Sequence, residues 1–474
     1  RFSTEVAGVT DMGMLYRGEH AEITTYLEKA LDSEMSGNVI DLCPVGALTS
    51  KPYAFVARSW ELKKTETIDV MDAVGSNIRV DARGSEVMRV LPRLNEDVNE
   101  EWISDKTRFA CDGLRRQRLD QPYVRVDGKL KPASWEDAFA AIAKRMDGVD
   151  GSKVAAIAGD QADCEAMTAL KSLMENIGSA NMDCRQDGSK IDPSARAGYI
   201  FNTTIAGIES ADALLIVGSN PRIEAAVLNS RIRKRFMEGN FPIGVIGEAS
   251  DLRYDYEHLG TGPDALKAVL DGSSSFADTL KDANRPMIIL GQGALAREDG
   301  AAIHAMGCEI ANKYDMISSA IGWNGFNVLH TAASRVGGLD VKFVPGEGGL
   351  DTNSIIAAAG RGEVEVVYLL GADEIDTSSL GDAFVIYQGH HGDAGAHRAD
   401  VILPGAAYTE KNATWVNTEG RVQLGRLCVF PPGDAREDWT IIRALSDALG
   451  KTIPFNDLKA VRSKMVDTGP SFLG

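Results

Sequence analysis

The run Val154-Ala155-Ala156-Ile157-Ala158-Gly159 decides the fold of this chain, because it is an apolar strand that ends at a glycine. Apolar residues then recur at helical spacing from Met167 to Ile177, and Gly178 follows as a stop signal. The same order of strand and glycine returns at three further places: Ala213–Gly218, Met287–Gly291 and Val366–Gly371. Buried strands that lead into glycine turns and helices are typical of a doubly wound parallel sheet. The sequence therefore predicts an α/β fold from residue 121 onward.

Length and composition exclude several classes of protein. A chain of 474 residues is too long for one hydrophobic core and indicates two or three units. The net charge of −18 argues against a nucleic-acid partner, since a polyanion would be repelled. No run of about 18 apolar residues occurs, so no direct membrane span is predicted. The six cysteines lie far apart, which fits a reducing compartment better than a disulfide framework.

Two other zones precede the α/β region. Apolar residues at helical spacing predict a helix over Ala21–Ser36, with Gly37 as its stop signal. Ile78–Val90 alternates apolar and polar residues around a glycine-containing turn, which predicts a β-hairpin in a small β-rich unit. The first residue is Arg1, and no secretory or transit pattern is present. We therefore expect further residues to precede this chain.

The glycine turns raise the question of nucleotide binding. Gly291-Gln292-Gly293-Ala294 follows an apolar strand and loosely matches a dinucleotide fingerprint. Glycine there would admit a pyrophosphate, but a tightly packed turn between strand and helix favours glycine as well. We find no acidic residue placed after the following strand for a ribose hydroxyl, and the turns at 215–222 and 370–374 hold no P-loop lysine. We expect that NAD does not protect the chain against heat.

Catalytic patterns are sparse. Three histidines of one glycine-rich loop are candidate metal ligands: His390, His391 and His397. Adjacent histidines point in different directions, so a solvated loop is the favoured interpretation. Four polar residues between 404 and 423 predict a turn network rather than an acid/base pair: Glu410, Asn417, Glu419 and Arg421. No nucleophile elbow or HExxH helix occurs, and we assign no catalytic residue.

Cys43 precedes Pro44 in the stretch Asp41–Leu48. A Cys-Pro step often presents the last thiolate of an iron–sulfur set, because proline stiffens the backbone just after the ligand. The other five cysteines are scattered singly: Cys111, Cys164, Cys184, Cys308 and Cys428. On spacing alone, a buried structural cysteine is therefore the favoured alternative for Cys43.

Three long blocks are more distinctive: Ile40–Phe55, Asp69–Asn77 and Asn99–Phe109. Together with Arg1-Phe2, they resemble the large (75 kDa-type) iron–sulfur subunit of respiratory complex I, the NADH:quinone oxidoreductase. The resemblance covers essentially the whole chain and is strongest to the mitochondrial and α-proteobacterial branch. From residue 66 on, the chain is also similar to molybdopterin oxidoreductases. The markers of that similarity are Leu215–Arg222 with Leu228-Asn229, Ala399–Pro404 and Asn417–Gln423.

The resemblance implies that Cys43 is the fourth ligand of a [4Fe–4S] cluster, whose other ligands lie in a C-x2-C-x2-C run before Arg1. A [2Fe–2S] and a second [4Fe–4S] cluster would be bound further upstream in the intact subunit. One thiolate cannot retain a cubane, so this chain alone would be inactive. The implied partners are other subunits of the peripheral arm, namely the NADH-binding flavoprotein and the quinone-site subunits. The implied location is peripheral, on the cytoplasmic side of the bacterial inner membrane or the matrix side of the mitochondrial inner membrane.

The chain also departs from the family pattern at positions where other members bind cofactors. Some members carry an extra [4Fe–4S] cluster with spacing C-x2-C-x3-C-x27-C, which falls here on residues without thiols: Asp69, Asp72, Ser76 and Ser104. We therefore expect that cluster to be absent. In molybdenum enzymes a Cys, selenocysteine or Ser contacts the metal near the stretch Asp187–Tyr199, where only Ser189 and Ser194 are weak substitutes. We expect no molybdopterin and a redox-inert scaffold; the alternative is an active molybdopterin-dependent, formate dehydrogenase-like oxidoreductase.

The resemblance also predicts the domains. Residues 1–65 would be the C-terminal part of a ferredoxin-like iron–sulfur domain. Residues 66–120 would be a small β-rich domain that resembles a 4Fe–4S domain without its cysteines. Residues 121–455 would be a doubly wound, parallel-sheet domain like that of molybdopterin oxidoreductases, and residues 456–474 a tail.

Overall fold

A computed structural model of the chain describes residues 1–25 and 29–473. Its strands are β1 Met12–Leu15, β2 Glu22–Thr25, β3 Lys63–Ile68, β4 Asn77–Arg83, β5 Glu86–Pro92, β6 Tyr123–Val126, β7 Lys129–Pro132, β8 Val154–Ala158, β9 Asn181–Asp183, β10 Ala213–Val217, β11 Ile243–Ile246, β12 Glu257–Gly260, β13 Pro286–Gly291, β14 Ile317–Ser318, β15 Trp323–Asn324, β16 Phe326–Leu329, β17 Val366–Leu370, β18 Phe384–Gly389, β19 Val401–Pro404, β20 Ala413–Val416 and β21 Val422–Gly425.

Its α-helices are α1 Asn38–Leu42, α2 Asp105–Phe109, α3 Trp135–Met146, α4 Cys164–Ile177, α5 Pro221–Glu224, α6 Ala226–Met237, α7 Pro263–Asp271, α8 Ala277–Asp282, α9 Gln292–Leu295, α10 Gly300–Lys313, α11 Arg335–Asp340, α12 Thr352–Gly360, α13 Ala394–Arg398, α14 Asp438–Ala448 and α15 Leu458–Thr468. The chain divides into two compact units. Unit 1 comprises Arg1–Asp81, Met88–Ala110 and Ala197–Leu329, and unit 2 comprises Ala82–Val87, Cys111–Arg196 and His330–Gly474.

Unit 1 is built on a five-stranded sheet in the order β12-β11-β10-β13-β16, and all of its strands are parallel. Strands β10, β11 and β12 succeed one another in one direction, whereas β13 and β16 lie on the other side of β10. The order therefore reverses between β10 and β13. We call the space at the carboxyl ends of these two strands the unit 1 crevice, because ligands of open α/β sheets bind at such reversals.

Unit 2 contains a seven-stranded sheet in the order β7-β6-β19-β18-β17-β8-β9. Strands β19, β18, β17, β8 and β9 are parallel, and the β6–β7 hairpin adds to β19 in the antiparallel sense. The order reverses between β8 and β17, and the space at their carboxyl ends is the unit 2 crevice. These two sheets confirm the predicted doubly wound α/β fold.

The predicted strands of the α/β region recur at their predicted places, as does the stop signal at Gly178. Val154–Ala158 is fully buried, as expected of a central parallel strand. Helix α4 ends at Gly178, which adopts φ +88°, a conformation in which a residue with a Cβ would be strained. The β-hairpin predicted over Ile78–Val90 is formed by β4 and β5 around Gly84 (φ +63°), and β3 completes a three-stranded sheet.

The helix predicted over Ala21–Ser36 is wrong for the residues that the structure describes. Glu22–Thr25 is a strand that pairs antiparallel with Met12–Leu15, and residues 29–36 contain no helix. Three consecutive β-branched residues, Ile23 to Thr25, favour a strand and were outweighed in the prediction by apolar spacing. Part of that apolar pattern, Tyr26 and Leu27, lies outside the described residues.

Within residues 1–25 and 29–473, no helix combines the length and the apolar character that crossing a bilayer requires.

Candidate functional site

Cys43 lies at the end of helix α1. Its N–H donates to the Val39 carbonyl oxygen at 3.2 Å, and its backbone (φ −74°, ψ 113°) leaves the helix on an extended path. The thiol is half-buried, with Sγ 3.2 Å from the Val45 carbonyl oxygen. Backbone hydrogen bonds from Leu48, then from Val45 and Ala47, lower the pKa of the Cys43 thiol. The turn after α1 therefore favours a thiolate, which is the form that binds metal.

Cys43 can supply one ligand of an iron–sulfur cluster but not the complete set of ligands. In the described part of the chain, no group of three or more His, Cys, Asp or Glu side chains is arranged to hold a metal ion. A [4Fe–4S] cluster takes four thiolates. The amide donors around Cys43 suit one such ligand, because hydrogen bonds to a ligating sulfur stabilise its charge.

The four positions with the spacing of the extra cluster converge in unit 1. Asp69, Asp72, Ser76 and Ser104 are each at most 3% exposed, and we call them the 69–104 cradle. The Thr107 hydroxyl joins two of them, with Oγ1 2.9 Å from Asp69 Oδ2 and 2.8 Å from Ser104 Oγ. The Asp69 N–H donates to the Ser76 carbonyl oxygen at 2.9 Å. The cradle is thus a hydrogen-bonded polar network.

Two carboxyl groups share this cradle. Asp72 Oδ1 accepts from the Val74 N–H at 3.0 Å, and its Oδ2 lies 3.3 Å from Lys106 Nζ. Burial, and then the charge of Asp72, raise the pKa of Asp69 to about 8, so Asp69 is protonated near neutral pH. Asp69 Oδ1 has no hydrogen-bond partner among the described residues. Hydrogen-bonded hydroxyl and carboxyl oxygens do not fit a cluster that takes soft thiolates.

The unit 2 crevice is filled by the side chain of Arg335, which begins helix α11. Arg335 is 1% exposed, its Nη2 lies 2.9 Å from Asp187 Oδ1, and its Nε donates to the Cys184 carbonyl oxygen at 3.2 Å. The preceding Ser334 N–H donates to the carbonyl oxygen of Asp160, just after β8, at 2.9 Å. Burial alone would raise the pKa of Asp187, but Arg335 and the Ser189 N–H together leave that pKa below its usual value.

Two further carboxyl groups line the rim of the same crevice. Asp160 follows β8, Glu374 follows β17, and Gln186 Nε2 donates to Glu374 Oε2 at 3.2 Å. Burial, and then the charge of Asp160, raise the pKa of Glu374 to about 7. Burial also raises the pKa of Asp160, although Arg335 opposes it. The proximity of the two carboxyl groups favours the protonated form of Glu374.

The unit 1 crevice is open and contains a cavity of about 530 Å³. Its polar walls include Ser219 and Asn220 after β10, Glu248 after β11, and Arg297 after α9. Glu224 Oε1 accepts from the Asn220 N–H at 2.9 Å, and its Oε2 accepts from the Ser219 hydroxyl at 2.6 Å. A cavity of this size at strand carboxyl ends suits a small organic ligand.

Packing explains the glycines of the Gly291 turn. A Cβ on Gly291 would lie 2.4 Å from Ser219 Cβ, and a Cβ on Gly293 would lie 2.8 Å from the Gly218 carbonyl oxygen. Helix α9, which follows the turn, has only four residues. The turn is therefore packed closely against the turn after β10, which accounts for both glycines without a ligand.

The three histidines of the glycine-rich loop do not have the arrangement of a metal site. His390 Nδ1 and His391 Nδ1 lie 2.5 Å apart, and His391 Nε2 lies 2.9 Å from the Gly113 carbonyl oxygen. His397 is exposed and belongs to helix α13. This arrangement agrees with the absence of a metal-holding group among the described residues.

The polar stretch after Pro404 is the predicted turn network. Glu410 binds the Arg118 guanidinium through both oxygens at 2.6 Å. Asn417 Oδ1 accepts from the Arg421 N–H at 2.9 Å, and Arg421 Nε donates to Glu419 Oε1 at 2.6 Å. Each carboxylate is thus held by an arginine, and none is paired with a second carboxyl group as an acid and a base would be.

Family models match most of the chain in three successive stretches. Residues 1–49 match the NADH-quinone oxidoreductase subunit 3, ferredoxin-like domain, and residues 62–112 match the NADH-ubiquinone oxidoreductase NDSU1/NuoG-like, 4Fe-4S domain. Residues 118–448 match molybdopterin oxidoreductase. The NADH-ubiquinone oxidoreductase 75 kDa subunit of Reclinomonas americana is 47% identical over all of this chain and 70% of its own length. The chain belongs to the family of this 75 kDa subunit.

Bacterial and plant members of the 75 kDa subunit family are equally similar. An NADH-quinone oxidoreductase subunit of Rickettsia bellii is 48% identical over all of this chain and 67% of its own length. The mitochondrial NADH dehydrogenase [ubiquinone] iron-sulfur protein 1 of Solanum tuberosum is 50% identical over all of this chain. The chain spans 63% of the length of that potato relative. These relatives confirm the family predicted from the blocks around Cys43.

A solved structure shares the fold of this 75 kDa family member. Acetylene hydratase from Pelobacter acetylenicus superposes with a TM-score of 0.62 over 86% of this chain and 72% of its own, at 12% identity. In the stretch Asp187–Tyr199, Ser189 is buried with no partner for its hydroxyl among the described residues. Ser194 is exposed, and its hydroxyl donates to Asp192 Oδ2 at 2.8 Å. The two serines thus differ in burial and in partner, and they do not form a common site.

Sequence reasoning missed three residues of the crevices. Glu248 follows Ile243–Ile246, an apolar strand that ends at a glycine like the others, so the same rule would have found it. Asn220 lies in the turn 215–222, where the sequence shows no P-loop lysine and no other sign of a polar site. Arg335 begins a glycine-containing helix and meets Asp187 across 148 positions of sequence, a pairing that no local pattern signals.

Proposed function

We propose that this chain is part of the peripheral arm of respiratory complex I, where it supports electron transfer from NADH to quinone through iron–sulfur clusters. The observation that carries the proposal is the Cys43 turn, in which backbone amides lower the pKa of a half-buried thiol, within a chain of the 75 kDa subunit family. The proposed partners are other peripheral-arm subunits, including the NADH-binding flavoprotein and the quinone-site subunits. The proposed place is the cytoplasmic or matrix side of the membrane.

Cys43 is proposed to be one ligand of a [4Fe–4S] cluster. Such a cluster, when bound, supplies one-electron transfer. The chain's own contribution is to hold the sulfur as a thiolate: the N–H groups of Leu48, Val45 and Ala47 offset its negative charge, and Pro44 stiffens the turn. The three other thiolates are proposed to come from a C-x2-C-x2-C run that precedes Arg1 in the intact subunit.

The remaining chain is proposed to be a redox-inert scaffold. The domains would be the end of a ferredoxin-like domain (1–65), a small β-rich domain (66–120), a molybdopterin-oxidoreductase-like domain (121–455) and a tail (456–474). The family-model matches at 1–49, 62–112 and 118–448 support this division. The oxygen network of the 69–104 cradle supports the absence of a cluster there.

Substitution of Cys43 in the assembled oxidoreductase tests the ligand. We expect Cys43→Ser to remove or shift one [4Fe–4S] signal in the electron paramagnetic resonance spectrum and to slow electron transfer from NADH to quinone. Cys308→Ser is the matched control, because Cys308 is the other half-buried free cysteine among the described residues. An unchanged set of cluster signals in Cys43→Ser would contradict the proposal.

Metal analysis of the same preparation separates the scaffold from the rival molybdopterin enzyme. A redox-inert scaffold contains no molybdenum or tungsten, whereas an active molybdopterin-dependent oxidoreductase contains one of them in stoichiometric amount. Iron and sulfide serve as internal standards for intact protein. Stoichiometric molybdenum would replace the scaffold proposal with the enzyme.

A further inference from the structure

Helix α1, which leads directly into Cys43, is bonded at its start to the segment around helix α2 of the same unit. The Asn38 side chain exchanges two hydrogen bonds with the Ile103 backbone. Its Nδ2 donates to the carbonyl oxygen at 2.8 Å, and its Oδ1 accepts from the N–H at 3.1 Å. Asp105, the first residue of α2, accepts from the Gly37 N–H at 2.7 Å. The start of α1 therefore cannot move without breaking bonds to this segment.

Arg108, in the same helix α2, reaches from the start of α1 to its last turn. Its Nη2 donates to Asn38 Oδ1 at 3.4 Å and, in a closer contact, to Asp41 Oδ2, while its Nη1 donates to Asp41 Oδ1 at 3.3 Å. The Arg108 side chain is only 4% exposed, so salt and water screen this ion pair weakly. A Cβ on Gly37 would lie 2.6 Å from Arg108 Cδ and Nε, which shows how closely the arginine packs on the backbone before α1.

Helix α2 is in turn anchored by the 69–104 cradle. Ser104 is the N-cap of α2, and its Oγ accepts from the Thr107 N–H at 3.1 Å. The Thr107 hydroxyl donates to Asp69 Oδ2 at 2.9 Å. The cradle and Cys43 are thus joined through α2, because the cradle holds the first turn of α2 and Arg108 of α2 holds α1.

The charge of Arg108 concerns Cys43 because Asp41 lies only two residues before it. The reduction potential of an iron–sulfur cluster depends on the charge and the hydrogen bonds around it. A carboxylate beside a ligand makes the site more negative and so opposes the uptake of an electron. The ion pair with Arg108 offsets this effect of Asp41.

We propose that Arg108 is a positioning residue for the [4Fe–4S] cluster of Cys43: it holds helix α1 in place and offsets the charge of Asp41 beside the ligand. The proposal rests on the proposed role of Cys43 as a cluster ligand. It also gives the 69–104 cradle, which has no thiols, a part in that role as the anchor of α2.

Redox titration of the assembled oxidoreductase, followed by electron paramagnetic resonance, tests the effect of charge. Arg108→Met leaves Asp41 without its cation and should lower the reduction potential of the cluster, whereas Asp41→Asn should raise it. Each shift should equal about a 10-fold change in the equilibrium constant of reduction, which is about 59 mV for one electron. The double variant has lost both charges and should return close to the unsubstituted potential. Shifts of the same sign in the two single variants, or no shift in either, would overturn the proposal.

A conservative variant and a matched control complete the titration. Arg108→Lys keeps the positive charge and should leave the potential unchanged. Arg79→Met is the control, because Arg79 pairs with another buried aspartate of unit 1, Asp81, at 2.8 Å on strand β4. It should also leave the potential unchanged. A shift in Arg79→Met equal to that in Arg108→Met would overturn the proposal.

Hydrogen exchange of the 474-residue chain tests the anchoring of α1 without a cluster. The Cys43 N–H, which donates to the Val39 carbonyl oxygen, should exchange about 10-fold faster in Arg108→Met and at its usual rate in Arg79→Met. Equal rates in these two variants would overturn the anchoring role of Arg108.

The roles of Cys43 and Arg108 can fail separately. An unchanged set of cluster signals in Cys43→Ser would contradict the ligand itself. A cluster signal that is lost in Cys43→Ser but keeps its potential in both Arg108→Met and Asp41→Asn would overturn the role of Arg108 alone.

Discussion

In unit 1 the strand order reverses between β10 and β13 and leaves a cavity of about 530 Å³, whereas in unit 2 it reverses between β8 and β17 and Arg335 fills the space. Both sheets contain such a reversal, so the reversal alone does not decide whether a crevice is open. The side chains decide it. Small residues, such as Ser219 and Ala294, line the open crevice, while a long buried cation and its acids occupy the other.

The largest expected effect comes from removing the side chain that fills unit 2. Arg335→Met should lower the free energy of unfolding by about 3 kcal/mol, because Asp187 and the half-buried Asp160 would lose the cation beside them and the Cys184 carbonyl oxygen would lose its donor. Urea denaturation of the 474-residue chain measures the change. Arg361→Met, in an exposed pair with Glu363, is the control and should leave the unfolding midpoint unchanged. If both variants behaved alike, the filled crevice would not depend on its ion pair.

A smaller loss in the free energy of unfolding is expected when a methyl group is added at the base of the open crevice. Gly218 has φ +61°, and a Cβ there would lie 2.4 Å from Ala294 Cβ. Gly218→Ala should therefore cost about 2–3 kcal/mol, from left-handed strain and from the clash. Gly239→Ala, at φ +85° with open space around it, isolates the strain and should cost about 1 kcal/mol. Equal losses in the two variants would show that the turns are not tightly packed.

The filled crevice should also respond to pH. Because the pKa of Glu374 is raised from 4.5 to about 7, the folded state keeps a proton that the unfolded state has lost between these values. Stability contributed by this group is therefore complete below pH 4.5 and falls as the pH rises to about 7.

Thermal melts at several pH values measure this response. Between pH 4.5 and about 7, the Tm of Glu374→Gln should fall by about 1–3 °C less than the Tm of the unsubstituted chain. The difference is small because Glu374 lies at the exposed rim. Glu363→Gln is the control, since an arginine lowers the pKa of Glu363 below this range. A decline of the same size in all three proteins would assign it to other groups.

The smallest effect is expected at the acid of the open crevice. Glu248→Ala should change the free energy of unfolding by less than about 0.5 kcal/mol, because Glu248 is exposed and makes no ion pair among the described residues. The same urea experiment measures it beside Arg335→Met. A loss comparable with that of Arg335→Met would mean that Glu248 supports the fold, and the contrast between the crevices would disappear.

Residues that are close in sequence carried the successful predictions. The apolar strands before Gly159, Gly218, Gly291 and Gly371 could be assigned because each is a short apolar run that ends at a glycine, and an α-helix follows the first three within a few positions. The helix predicted over Ala21–Ser36 failed because a strand partner, Met12–Leu15, stabilises Glu22–Thr25 from a distance that helical spacing does not register.

The residues that occupy or line the crevices could not be predicted from the sequence, because they too depend on contacts between distant positions. Arg335 fills one crevice only because folding brings it to Asp187, and the cavity beside Glu248 exists only because four strand ends meet. The Cys43 turn was the intermediate case. Its Cys-Pro step is local, but the amides that lower the pKa of its thiol become visible only in three dimensions.

The turn around Cys43 also makes the Cys43 thiol a site for selective chemical labelling. Burial raises the pKa of Cys111 to about 11 and that of Cys184 to about 12, and it raises the pKa of the half-buried Cys308 as well. Cys43 is half-buried too, but its pKa is lowered, so at neutral pH it carries more thiolate than these three. A maleimide probe added briefly to the native chain should therefore mark Cys43 first, and a fluorophore attached there would report on whatever polypeptide covers that turn.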